Sequence, residues 1–75
     1  MGRRLKMLKT RDVIRALSAM GFQTVRQSGS HIFMMHRDGR ATVVPSHGGE
    51  DIGRGLLRQI LRDIEVSPEE FLHHI

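Results

Sequence analysis

Two β-prone runs, His31–His36 (HIFMMH) and Ala41–Pro45 (ATVVP), flank Arg37-Asp38-Gly39-Arg40, and this arrangement constrains the fold more than any other part of the chain. Asp-Gly between apolar runs is the strongest short-range hairpin signal, because both residues tolerate the backbone angles of a tight turn. A lone hairpin is marginal in water, so other elements must cover its apolar side. Residues 22–27 read as a weak further strand, with only Phe22 and Val25 apolar, and Ser28-Gly29-Ser30 breaks it before His31. Upstream, Thr10 is placed to N-cap a helix in which Val13, Ala16, Leu17 and Met20 recur at i, i+3, i+4 and i+7. Gly21 followed by Phe22 is its stop signal.

Downstream, Ile52, Leu56, Leu57, Ile60, Leu61 and Ile64 mark one face of a second helix. Arg54, Arg58 and Arg62, spaced i, i+4, i+8, form a basic stripe nearly opposite that face. Ser67-Pro68-Glu69-Glu70 reads as a capping box opening a last short helix that carries Phe71 and Leu72. The order α-β-β-β-α-α, with both main helices on one face of an antiparallel sheet, is an α+β sandwich.

At 75 residues there is room for one small core and no second domain. With Cys 0, disulfides, thiolate chemistry and Cys-based zinc sites are excluded, which fits a reducing compartment. No run reaches the roughly 18 apolar residues of a membrane span, and the start MGRRLKMLKTRD lacks a signal-peptide h-region, so a cytoplasmic protein is expected. The net charge of +4 comes from 12 Lys+Arg against 8 Asp+Glu, and all of these cations but Lys6 and Lys9 are Arg. Arginine's planar fork suits phosphate, so a polyanion partner is the functional reading, and a merely basic, soluble surface is the plain one.

Few residues carry a chemical signal. Ser30 and His31 are adjacent, and in a strand neighbouring side chains take opposite faces, so this is no serine–histidine pair. His31 and His36 fail as metal ligands by the same parity, lying roughly 16 Å apart along a strand. His73 and His74 sit together near the chain end and read as solvated. The acids have no metal-site spacing, and neither GxxxxGK[ST] nor GxGxxG occurs, so a site without metal or small-molecule cofactor is expected.

His31 stands apart because Gly29 lets the backbone bend just before it and Ser30 offers a nearby hydroxyl. Two readings stay open on this pattern. One is an exposed or hydrogen-bonded structural histidine, the commoner role. The other is a general base that takes a proton from an RNA 2′-OH, with Arg stabilising charge on phosphorus. His47, between Pro45 and Gly48-Gly49, is a second candidate, as acid for the leaving oxygen or as a loop anchor. Lys9, Arg26 and the stripe Arg54, Arg58 and Arg62 are the candidate RNA-binding cations, or equally a solvated surface. The aromatics Phe22, Phe33 and Phe71 are assigned to the core, which leaves backbone and shape recognition as the mode of contact.

Gly29-Ser30-His31-Ile32-Phe33, Val44-Pro45-Ser46-His47 and GLLRQILRDIEVSPEEF, in that order, resemble the HicA toxin family, the mRNA interferases of HicA–HicB toxin–antitoxin pairs. The resemblance covers residues 9–72. It implies a double-stranded-RNA-binding-domain-like α-β-β-β-α fold and a catalytic histidine at His31, with Gly29 and Ser30 in the same motif. It assigns no catalytic role to His47. It further implies metal-independent mRNA cleavage and a HicB-like antitoxin that covers the active face. Ser28 stands where a Lys is common before Gly-Ser-His, and Leu56 where a Thr commonly follows Gly. The expectation is therefore an endoribonuclease toxin built as one domain over residues 10–75, after a basic extension over residues 1–9. The alternatives are a non-catalytic RNA-binding module of the same fold and an interaction protein whose basic face binds an acidic partner.

Overall fold

In the computed structural model, which describes residues 5–46 and 51–75, the chain runs β1 (Leu8–Lys9), α1 (Thr10–Ala19), β2 (Phe22–Ser28), β3 (His31–His36), β4 (Ala41–Pro45), β5 (Asp51–Ile52), α2 (Arg54–Asp63) and α3 (Pro68–Leu72). Strands β2, β3 and β4 form an antiparallel sheet in that order, and β1 pairs with β5 in a separate two-stranded ribbon. Helices pack on one side of the sheet. This is a double-stranded-RNA-binding-domain-like α+β sandwich with a short C-terminal helix.

Side chains along β3 alternate between a covered and an open side. Ile32 and Met34 are buried and pair with Val44 and Thr42 of β4, which are buried with them. Against this face α1 lays Val13, Ala16 and Leu17, α2 lays Leu57, Ile60 and Leu61, and α3 adds Phe71 and Leu72. Fully burying one such Leu, Ile or Phe side chain is worth about 1.5–3 kcal/mol, so these three helical faces hold the sandwich together. Among the described residues Thr42 is the one buried polar side chain; its hydroxyl donates to Asp63 Oδ2 (3.1 Å). Leu5 and Leu8, in the stretch read as a basic extension, join the same core.

Strand β2 changes phase part-way. Phe22 pairs with His36 and Thr24 with Met34, but the register shifts between Thr24 and Arg26, so that Arg26 pairs with Phe33 and Ser28 with His31. A β-bulge of this kind inserts one residue and turns the following side chains to the other face. Phe22 is thereby buried in the core while Arg26 and Ser28 emerge on the uncovered face, with Val25 at the bulge 58% exposed.

Several expectations are corrected. Thr10 is the first residue of α1 rather than its N-cap; Lys9 holds the cap position without a side-chain bond, and the Thr10 hydroxyl donates instead to the Pro45 carbonyl (3.2 Å). Ile52 belongs to β5, not to the second helix, because Gly53 is extended (φ −73, ψ 166) and α2 starts only after it. Leu56 falls outside the buried stripe and is exposed. The hairpin expected at Asp38-Gly39 is present between β3 and β4. Gly39 N–H donates to the His36 carbonyl and His36 N–H to Arg40, with Gly39 alone left-handed (φ 98), the pattern of a type I turn closed by a glycine bulge. Phe33 lies outside the core, on the open sheet face. The last helix has the N-cap and first-turn proline expected: Ser67 Oγ accepts from Glu70 N–H (3.1 Å), the Ser67 half of a capping box, with Pro68 at its first turn.

Candidate active site on the open sheet face

The β2–β3 connection is the two-residue loop Gly29-Ser30. Gly29 has φ 57 and no atom stands where its Cβ would be, so the need for glycine is conformational and not steric. A loop with a left-handed first residue alone is the pattern of the type II′ turn that matches strand twist. The Ser30 carbonyl accepts from Ser46 N–H (2.6 Å), which ties the turn to the end of β4. His31, the first residue of β3, thus sits between Ser28 and Pro45 in one cross-strand row on the open face, with its side chain exposed.

The next row on that face holds Arg26, Phe33 and Val43, and the third holds Met35 and Ala41. Arg26 Cζ lies 4.4 Å from the Phe33 ring centroid. Geometry therefore places Arg26 beside His31, one row along the same face.

The other candidate cations lie elsewhere. Arg54, Arg58 and Arg62 are exposed on the side of α2 that faces away from the core, hence on the layer opposite the open sheet face. At the far end of α2, Arg40 Nη1 donates to the Ile64 carbonyl (2.8 Å), which anchors that end to the β3–β4 turn. With α2 only about 15 Å long, its start, and with it Arg54, points toward the end of the sheet that carries His31. Helix α1 runs the same way, with Thr10 bonded to Pro45 and Gly21 against His36. Neither helix has a side-chain cap at its start, so both bring their partial positive ends to the His31 end of the molecule. Lys9 is also at this end, its Nζ 4.0 Å from Asp51 Oδ1. His47 lies outside the described residues.

An exposed imidazole on a strand, in a row with a hydroxyl and next to an arginine, at the end where two helix starts converge, suits an anionic, proton-bearing substrate. A family model described as the HicA toxin of bacterial toxin–antitoxin systems matches residues 10–66. The chain belongs to the HicA toxin family. A curated relative, the probable mRNA interferase HicA of Pseudomonas fluorescens (strain Pf0-1), is 33% identical over 60 residues, covering 80% of this chain and 98% of that protein. The HicA match spans α1 to the end of the α2 region and so takes in the Gly29-Ser30-His31 turn.

One residue of the open face escaped the sequence reading. Phe33 shares the phase of His31, two positions on, and that parity was the available signal that both face the same way. Among the described residues no helix is long and apolar enough to cross a membrane.

Proposed function

We propose that this HicA family member is an endoribonuclease toxin that cleaves mRNA with His31 as general base. The observation that carries the reading is the placement of His31: exposed, at the mouth of β3, fixed by the Gly29 turn and flanked by Ser28 and the Arg26 row. In the reaction, the imidazole takes the proton of an RNA 2′-OH, the 2′-oxygen attacks the adjacent phosphorus, and the bond to the 5′-oxygen breaks. The products are a 2′,3′-cyclic phosphate and a 5′-OH end. The nucleophile belongs to the substrate, so the protein's task is to hold the phosphate, take one proton and return one. Among the described residues, Arg26 is the arginine in the adjacent row of the same face for the charge that develops on phosphorus. Lys9 and Arg54 extend the positive end of the domain, and Arg58 and Arg62 reach RNA that wraps onto the helical layer.

The name of the Pseudomonas fluorescens relative and the family match both support this reading. It carries with it a HicB-like antitoxin that covers the His31 face and an action in the cytoplasm, where mRNA is found. The test is cleavage of a defined RNA in EDTA by wild type and His31→Ala, with end-group analysis and a parallel binding titration. One positioned base contributes about 10²–10⁴-fold, so His31→Ala loses cleavage by that factor and keeps its RNA affinity. Equal binding with no cleavage by either protein would replace the enzyme with a non-catalytic RNA-binding module.

A further inference from the structure

The open sheet face carries an apolar surface that the chemistry at His31 does not use: the Phe33 ring, with Val25, Met35, Ala41 and Val43 around it. Phe22 and Phe71 are buried at 1% and 0% exposure, so Phe33 alone of the three phenylalanines offers a ring to solvent. It stands two residues from His31 on the same face, about 6.6 Å along the strand. That is the reach from a nucleotide's phosphate to the base beside it.

We propose that Phe33 is a stacking subsite for one unpaired nucleobase, that of a nucleotide adjacent to the bond presented to His31. The assignment rests on the RNA-binding part of the function proposed above. Arg26 already occupies the ring face with a flat, delocalised cation, 4.4 Å from the centroid. An exposed cation–π contact is worth about 0.5–1 kcal/mol, whereas a base stacked on an aromatic ring is worth about 1–3 kcal/mol. A base therefore displaces the guanidinium from the ring, and Arg26 turns to the neighbouring phosphate, where its charge gains more. The charge of the chain argues for RNA as occupant: net +4, with Arg26 and His31 in adjacent rows of this face. The nearest acid lining the patch, Asp63, already accepts hydrogen bonds from Thr42 and Gln59. The subsite makes the toxin read single strands by stacking, in addition to backbone contact.

The experiment uses the His31→Ala chain, so that binding is measured without cleavage. It is titrated with a short single-stranded RNA, the same RNA carrying abasic residues, and a duplex of the same sequence. In this background Phe33→Leu, which keeps an apolar side chain but removes the ring, loses about 10-fold or more in affinity for the intact single strand. It binds the abasic RNA and the duplex as its parent does, and Phe33→Tyr restores the single-strand affinity. Arg26→Ala flattens the salt dependence by about 0.7 in slope and keeps the preference for intact over abasic RNA. Equal affinity of Phe33→Leu and its parent for the intact single strand overturns the subsite and leaves the apolar face to a protein partner. An equal loss on intact and abasic RNA also overturns it. Because the readout is binding by a chain without His31, a failure of the catalytic reading leaves this result standing.

Discussion

Ser28 and His31 form the last residue pair of the β2–β3 hairpin, side by side on the open face across the Gly29-Ser30 turn. Their Cβ atoms are therefore about 4.5–5.5 Å apart, close enough for residue 28 to act on whatever His31 holds. Position 28 is also where the resemblance to the family implies a lysine and this chain has serine. On the function proposed above, replacing Ser28 by Lys puts an ammonium beside the scissile phosphate. Ser28→Lys is expected to raise cleavage several-fold and to steepen the salt dependence of RNA binding by about 0.7. Titration at several ionic strengths checks it, and an unchanged slope removes residue 28 from the site.

Gly29 sets the direction in which His31 leaves the turn. Because its φ is 57 with open space around it, Gly29→Ala meets no clash and carries only the cost of a left-handed alanine, about 1–2 kcal/mol. Thermal or urea unfolding measures that loss. His31→Ala, by contrast, removes an exposed side chain and is expected to change stability by less than about 0.5 kcal/mol.

Arg40 joins three parts of the fold. It donates to the Ile64 carbonyl at the end of α2 and to Asp38 Oδ2 (2.8 Å each), and its guanidinium lies 5.3 Å from the Phe22 ring centroid. Arg40→Ala frees a helix-end carbonyl and the ring together. A loss of about 1.5–3 kcal/mol in urea unfolding is expected, and a value near zero would show that α2 is held by its apolar face alone.

Asp38 makes the β3–β4 turn sensitive to acid. The Arg40 backbone N–H donates to its carboxylate (3.0 Å), and this bond, with the Arg40 side chain and His36, holds the carboxyl below its ordinary 3.8. A depressed folded value means that the folded state favours the charged carboxylate. Its contribution is complete above pH 3.8 and is lost as pH falls through the lower folded value. The stability difference between wild type and Asp38→Asn should therefore shrink as pH falls below 3.8. A difference that persists at pH 2 would assign the effect to turn geometry instead.

The bulge at Val25 keeps Phe22 in the core while Arg26 faces out. Deleting Val25 makes Thr24 and Arg26 chain neighbours, and regular alternation then keeps Phe22 and Thr24 on the covered face and Arg26 and Ser28 on the open one, with their β3 partners unchanged. The deletion is therefore expected to keep a cooperative thermal transition. Loss of that transition would mean that β2 needs the extra residue for its local twist.

Much of this architecture was legible in the chain. The Asp38-Gly39 hairpin, the 3.6-residue stripes of α1 and α2, and the Ser67 capping box are local signals, each complete within a few residues. The Gly29-Ser30-His31 motif was legible for the same reason, since a turn glycine and the first residue of a strand need no distant partner to be recognised. Alternation also fixed that His31, Phe33 and Met35 must share a face.

Which face that is, only the tertiary structure decided. In β3 both phases are apolar, Ile32 and Met34 against Phe33 and Met35, so the strand's own pattern is nearly symmetric. The choice depends on pairing. Ile32 and Met34 meet Val44 and Thr42, and the helices bury them, whereas Phe33 pairs with Arg26, whose charge must stay in water. That pairing in turn depends on one bulged residue in β2, set by the fit of Phe22 into a distant core rather than by any signal at Val25 itself. Ile52 and Thr10 were misplaced for the same kind of reason: the β1–β5 ribbon and the bond to Pro45 join segments more than thirty residues apart in the chain. The sequence by itself determined the three helices, the three strands of the main sheet and the motif; contacts across the chain determined the β1–β5 ribbon and that His31 opens outward, with an aromatic ring beside it.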